Sequence, residues 1–280
     1  MVETEGDWGL GTATHREAVA AREWLVRRGA LVHIPRPLLT VRLGQRNRRR
    51  VWFGYYAVFV VLAFACYAFV HWLVPDLPDV RDEDMTEGLV LTSVYCALQL
   101  ATWRTWSRVD RGLASHEALN DPSLPRPPWR TVLGGWFTAS TAVTFVGGAG
   151  LGVAMVVTTP ARTYASSWLG LLAIGALSTA VVLTGVLRAP VIADDEATRA
   201  VDDLVRTENA NHALPAMFAV PVVFDLFEGK QPSAFTGVLI GYVVLSVGLQ
   251  LVAVVVHSRQ VLPPGDYGPP SAEPVGSAEA

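Results

Sequence analysis

Lysine is almost missing from this chain: Lys230 is the only one, and arginine supplies the rest of the 22 basic side chains. Cysteine is nearly as scarce. Two thiols, Cys66 and Cys96, exclude a disulfide-stapled extracellular domain and any multi-cysteine metal site. Charge is absent from long stretches. In the runs Val51 to Val74, Gly88 to Trp106, Val132 to Val157, Tyr164 to Leu187 and Phe235 to Val256, the sole Asp, Glu, Lys or Arg is Arg104, in the last turn of its run. A charge at mid-bilayer costs roughly 2.5–3.5 kcal/mol on insertion scales. A helix needs about 20 apolar residues to cross roughly 30 Å of hydrocarbon. Uncharged runs of this length therefore meet what lipid requires.

What is present is an all-α pattern: a polytopic transmembrane helix bundle. Six spans are expected, at 51–74, 88–106, 132–157, 164–187, about 210–227 and 235–257. The first run is followed by no small-residue cleavage pattern, so it is expected to remain as a helix. The fifth span is the irregular one. Its apolar part, Ala213 to Phe227, is short and holds Pro215, Pro221 and Asp225. It is expected to be a span extended by the preceding helix, kinked at Pro221, with Asp225 near the outer interface; a re-entrant or interfacial piece is the alternative. Residues 1–50 form a cytoplasmic segment with a short helix, residues 51–257 the bundle, and residues 258–280 a disordered cytoplasmic tail rich in Pro, Gly, Ser and Glu.

Arginine asymmetry sets the orientation. All the basic residues except Arg81, Arg162 and Lys230 fall on one side of a six-span layout, which places both termini in the cytoplasm. Tryptophans gather at span ends (Trp52, Trp72, Trp103, Trp106, Trp129, Trp136, Trp168), as amphipathic rings do at headgroup level. Arg42, Arg46 and Arg48 to Arg50 precede the first span and read as its lipid-headgroup anchor, not as a nucleic-acid patch. The acidic loop Asp76 to Glu87 lacks the spacing and central glycine of an EF-hand.

Two soluble helices are legible. Thr14-His15-Arg16-Glu17 fits a capping box and opens a helix through Val26 with a weak apolar face, expected to be solvated, with a place on the membrane surface as the alternative. A second helix, near 194–210, is expected with Asp194 as its cap, Ala197, Val201, Leu204 and Val205 on its apolar side, and Asp195/Arg199 and Asp202/Arg206 as i,i+4 pairs on the outer face.

Chemistry is thinly represented. His116-Glu117-Ala118-Leu119-Asn120 begins like a zinc-protease motif but lacks the second histidine. Gly147 to Gly152 has the wrong register for a dinucleotide loop and no preceding strand. Within the spans, Gln99 and Gln250 are the only amides well inside, and no nucleophile–base set shares a depth. No catalytic, cofactor-binding or metal-binding residue is expected, and no nucleic-acid partner. The residues singled out are small ones at helical spacing: Gly134, Thr138, Thr141, Gly148 and Gly152 on the third span, and Gly175, Ser178 and Gly185 on the fourth. In lipid no water-driven force pulls helices together, so faces that allow close backbone approach become packing seams. Cys66 and Cys96 are expected at equal depth as free thiols.

The run Arg188-Ala189-Pro190-Val191-Ile192-Ala193-Asp194-Asp195-Glu196, followed by Ala200-Val201-Asp202-Asp203-Leu204-Val205-Arg206, resembles a segment of uncharacterised actinobacterial polytopic membrane proteins. The resemblance implies a six-span bacterial plasma-membrane protein and brings no activity with it. Two functions are weighed. One is a non-enzymatic subunit or regulator in a membrane assembly, with the lipid bilayer and a membrane-protein partner around it. The other is a transporter of a small or apolar solute, which calls for a polar cavity near the midplane between spans three, four and six.

Overall fold

A computed structural model describes residues 14–44, 46, 84–115, 126–229 and 231–269. The first predicted span, Cys66 within it, Asp76 to Glu83 of the acidic loop and the His116–Asn120 motif lie outside them. The described residues are all-helical, without a strand. In chain order they form α1 (His15–Arg27), α2 (37–44), α3 (Asp84–Ala114), α4 (Trp129–Ala142), a π-turn (Val143–Gly147), α5 (Gly148–Thr158), α6 (Arg162–Arg188), α7 (Glu196–Asn211), a 3-10 turn (Pro215–Ala219), α8 (Pro221–Glu228) and α9 (Thr236–Ser258).

Among the described residues three helices are long and apolar enough to cross a membrane: Trp129–Thr158, Arg162–Arg188 and Ser233–Ser258. They coincide with the third, fourth and sixth predicted spans. α3 is longer than its predicted span and less apolar. Its polar Thr92 and Gln99 are buried inside the bundle, so they do not load its outer surface. The fifth segment is not one kinked helix. α7 ends at Asn211, Leu214 takes a left-handed φ of 38°, a 3-10 turn follows, and Pro221 opens the short α8. Each proline sits at the start of a helical piece, where its missing N–H costs nothing.

This broken segment runs antiparallel along the whole of α6. Arg206 Nη1 donates to Ala189 O at 2.9 Å at one end. Tyr164 OH donates to Asp225 Oδ2 at 2.9 Å at the other. Between them Phe218 lies against Gly175. α6 has 27 residues and so rises about 40 Å.

At one end of the bundle α1, α2, α7, the last turns of α3 and the tail form a compact head. α1 begins at the predicted capping box, with Glu17 N donating to Thr14 Oγ1 and Thr14 N to Glu17 Oε2. It ends at Gly29, φ 85°. α1 is not solvated all round. Ala21, Trp24 and Leu25 are buried against Val201 and Val205 of α7 and Tyr267 of the tail. The tail likewise departs from the expected disorder as far as residue 269. Leu262 and Tyr267 anchor it, and Leu262 N donates to Arg28 O at 2.8 Å and His33 N to Pro269 O at 2.8 Å. A Cβ on Gly268 would fall 2.2 Å from Ile34 O, so glycine is required at this crossing.

α7 is capped by Asp195, not Asp194: Thr198 N donates to Asp195 Oδ1 at 2.8 Å. Burial works against the Asp195 charge. Hydrogen bonds from Thr198 and from Arg36 outweigh it and hold the carboxyl below its ordinary pKa.

Candidate functional site

Two polar groupings stand out, one in the head and one in the bundle interior. In the head, Asp202 is fully buried and takes two arginines. Its Oδ1 accepts from Arg42 Nη2 at 2.6 Å and its Oδ2 from Arg206 Nε at 2.7 Å. Arg42 Nε also donates to Asp110 at 3.2 Å, and Arg206 reaches Val186 O, Ala189 O and Pro190 O. Two of these predictions are corrected. Arg42 is buried in this knot rather than lying in a headgroup anchor, and the Asp202/Arg206 pair faces inward. Arg46 is also buried, donating to Asn209 at 2.6 Å over the Trp106 ring. Buried charge is tolerated only when paired and hydrogen-bonded, and the knot balances two guanidiniums with two carboxylates. Burial opposes the Arg42 charge, and Asp202 and Asp110 outweigh it, raising its pKa above the ordinary arginine value. The knot ties α2, α3 and α7 to the carbonyls that end α6.

In the bundle interior, two interrupted backbones meet: the π-turn of the third span packs on the 3-10 turn after Leu214. Irregular backbone at membrane depth must find partners inside the protein or line a wet cavity. Here side chains supply them. Gln99 Nε2 donates to Ala213 O at 2.6 Å, and Tyr95 OH lies 3.1 Å from Ala213 O and 3.2 Å from Leu214 O. Gln99 is held in turn by Ser178, whose Oγ donates to its Oε1 at 2.5 Å, and by Thr179. Tyr242 OH donates to Thr144 O at 2.9 Å, and Ser140 Oγ to Ser246 O at 3.1 Å. Thr144 Oγ1, Ser246 Oγ, Gln250 Nε2 and Trp168 Nε1 are buried with no hydrogen-bond partner among the described residues. The chemistry here is neutral hydrogen bonding. Cys96 lies beside this layer as a free, buried thiol.

Removing Gln99 tests the layer. Gln99→Leu takes one donor from Ala213 O and the acceptor from Ser178, both buried. A loss of about 1–3 kcal/mol is expected, read as a lower unfolding temperature in detergent. A change no larger than that of Ala97→Leu on the exposed side of α3 would show that the break needs no such support.

The small residues fall into two groups. A Cβ on Gly148 would sit 2.8 Å from Tyr242 OH, on Gly152 2.6 Å from Leu169 Cδ2, on Gly175 2.4 Å from Phe218 Cδ1, and on Gly185 2.3 Å from Trp103 Cζ2. These four lie in close contact with neighbouring helices, and Ser178 holds Gln99. Gly134 does not: it is a kink, φ 67°, with open space where a Cβ would be. Thr138 and Thr141 spend their hydroxyls on Gly134 O and Phe137 O of their own helix. Beside Gly185 an open groove of about 440 Å³ is lined by Trp103, Ala180, Val181, Thr184 and Arg188.

Sequence reasoning found Gln99 and Gln250 but missed their partners. The available signal was spacing. Ser140 and Thr144, and Tyr242, Ser246 and Gln250, recur every fourth residue on otherwise apolar helices, so each set forms one polar stripe. The fold defines the class: among the described residues, an all-helical architecture with three helices able to span a membrane. Compared with protein-family models, curated proteins and solved structures, the chain matches none.

Proposed function

We propose that this is a six-span plasma-membrane protein with both termini in the cytoplasm, acting without catalysis as a subunit or regulator of a membrane assembly. The observation that carries the proposal is the head. The segment before the bundle and the loop after α6 are locked onto the bundle by the Arg42–Asp202–Arg206 knot, and the tail is bound to the first of them by Leu262 N on Arg28 O and His33 N on Pro269 O. Such a head presents a fixed surface, which suits recognition of a partner. The six-span count is supported by the broken segment, which accompanies α6 along its length. If α6 crosses, so does its companion.

Affinity purification from native membranes tests the function: a stoichiometric membrane partner is expected, and a lone monomer would count against it. Reporter fusions at residue 210 and at the C-terminus test the topology, and both are expected to report the cytoplasm. A C-terminus outside with residue 210 inside would mean that 213–227 does not cross. A second reading, transport of a small solute, is favoured by one observation: the unpartnered atoms of Thr144, Ser246 and Gln250 between α4, the π-turn and α9. Solute flux in proteoliposomes, abolished by Ser246→Val, would favour it over the subunit reading.

A further inference from the structure

The geometry points to a second lipid contact outside the spans: the turn after α1 and the start of the tail form an apolar lip with a basic rim that rests on an anionic bilayer surface. This inference rests on the membrane reading above. α9 has 23 residues and rises about 35 Å, so its last turn reaches the interface of a roughly 30 Å core. Its outward valines are exposed, Val255 and Val256 at 46 % each. The apolar surface continues past the end of the helix. Val261 is 67 % exposed three residues beyond Ser258, Leu31 is 81 % exposed, and Val26 is 49 % exposed.

These three residues come from two distant parts of the chain, the end of α1 with the turn after it and the start of the tail, which contacts bring together. Arg28 donates to His257 O at 2.5 Å and Gln260 O at 3.2 Å, which fixes the end of α1 under the end of α9. Gly29 packs on Val261, whose Cγ1 lies 2.6 Å from where a glycine Cβ would stand. Leu31 follows two residues later. Arg22, Arg27 and Arg259 are exposed around the lip, and Arg22 is steered toward Leu31 by its bond to Val32 O at 3.3 Å. Glu23 is the exposed carboxylate among them. Large apolar side chains exposed to water beside arginines suit a membrane interface, where the chains enter the headgroup boundary and the guanidiniums meet phosphate. Continuity with the outward face of α9 and this charge balance select lipid over a protein partner.

Site-directed spin labelling of the full chain in bilayers tests this, in a Cys66→Ser, Cys96→Ala background that elutes as the wild type does. Labels are placed at residues 31, 244 and 196. Val244 is an outward residue near the middle of α9. Glu196 starts α7, whose other end leads into the bundle about 24 Å away. In phosphatidylglycerol-containing bilayers the label at 31 is expected to lose most of its accessibility to an aqueous nickel chelate and to gain oxygen accessibility, falling between 244 and 196. In phosphatidylcholine alone the shielding is expected to weaken. A label at 31 as chelate-accessible as that at 196 would overturn the inference. So would one shielded from both reagents, which means cover by protein, or shielding independent of lipid charge. If the label at 244 is itself chelate-accessible, the membrane reading fails instead.

Discussion

Asp202→Ala is expected to destabilise the protein by about 3–5 kcal/mol, the usual cost of breaking a buried ion pair from one side. The cost comes from what remains, since the carboxylate is fully buried and shared. Without it Arg42 keeps only Asp110 at 3.2 Å and the Ile192 carbonyl, and Arg206 keeps carbonyls alone. Two guanidiniums would then sit in the knot against one carboxylate. Asp202→Asn is expected to be milder, because it preserves shape and one acceptor. Asp203→Ala is the control. It neighbours Asp202 in the chain but is only half-buried, and it feels Asp202 and Arg206 through their charge without bonding to either arginine of the knot. Thermal unfolding in detergent, followed by size-exclusion recovery, gives the ranking. If Asp202→Ala and Asp203→Ala unfold together, the knot does not hold the head.

That knot also marks where the sequence stops being legible. The Thr14–Glu17 capping box and the ends of the three apolar helices are readable, because caps and long apolar runs are local signals. The periodicity of α7 was readable too, with Val201 and Val205 on its buried side. What it could not give was the width of that side. The rule that charges face out assigns Asp202 and Arg206 to solvent. Arg42 and the carbonyls ending α6, distant in the chain, make the inward position favourable. The fifth segment shows the same division. Pro215 and Pro221 announce a break, but the left-handed turn at Leu214 depends on Gln99 and Tyr95 of another helix donating hydrogen bonds to the freed carbonyls. In the tail, composition pointed to disorder, while two anchors, Leu262 and Tyr267, sufficed to order its first part. Among the glycines, residue type and spacing treated Gly134 and Gly148 alike. Only the second has a helix opposite.

The last distinction predicts a paired result on one helix. Gly148→Leu with Gly152→Leu is expected to destabilise strongly, and Gly147→Leu with Gly150→Leu hardly at all. Both doubles add the same two leucines within six residues, so hydropathy and helix propensity change equally. Their surroundings differ. At Gly148 a Cβ would meet Tyr242 OH at 2.8 Å and Leu172 Cδ1 at 2.9 Å, and at Gly152 Leu169 Cδ2 at 2.6 Å. Among the described residues nothing lies within 4 Å of a Cβ at Gly150, and only Val143 Cγ1, at 3.9 Å, of one at Gly147. Overpacking a close contact costs about 1–3 kcal/mol per site. The two inner sites lie one turn apart, so their costs need not add. At Gly148 the leucine would also displace Tyr242 from Thr144 O, stripping the π-turn of a hydrogen bond that it has no water to replace. Unfolding temperature in a mild detergent separates the pairs, and Tyr242→Phe measures the hydrogen-bond share of the loss. Equal stability of the two doubles would mean that the Gly148/Gly152 face is not a packing seam, whatever its spacing.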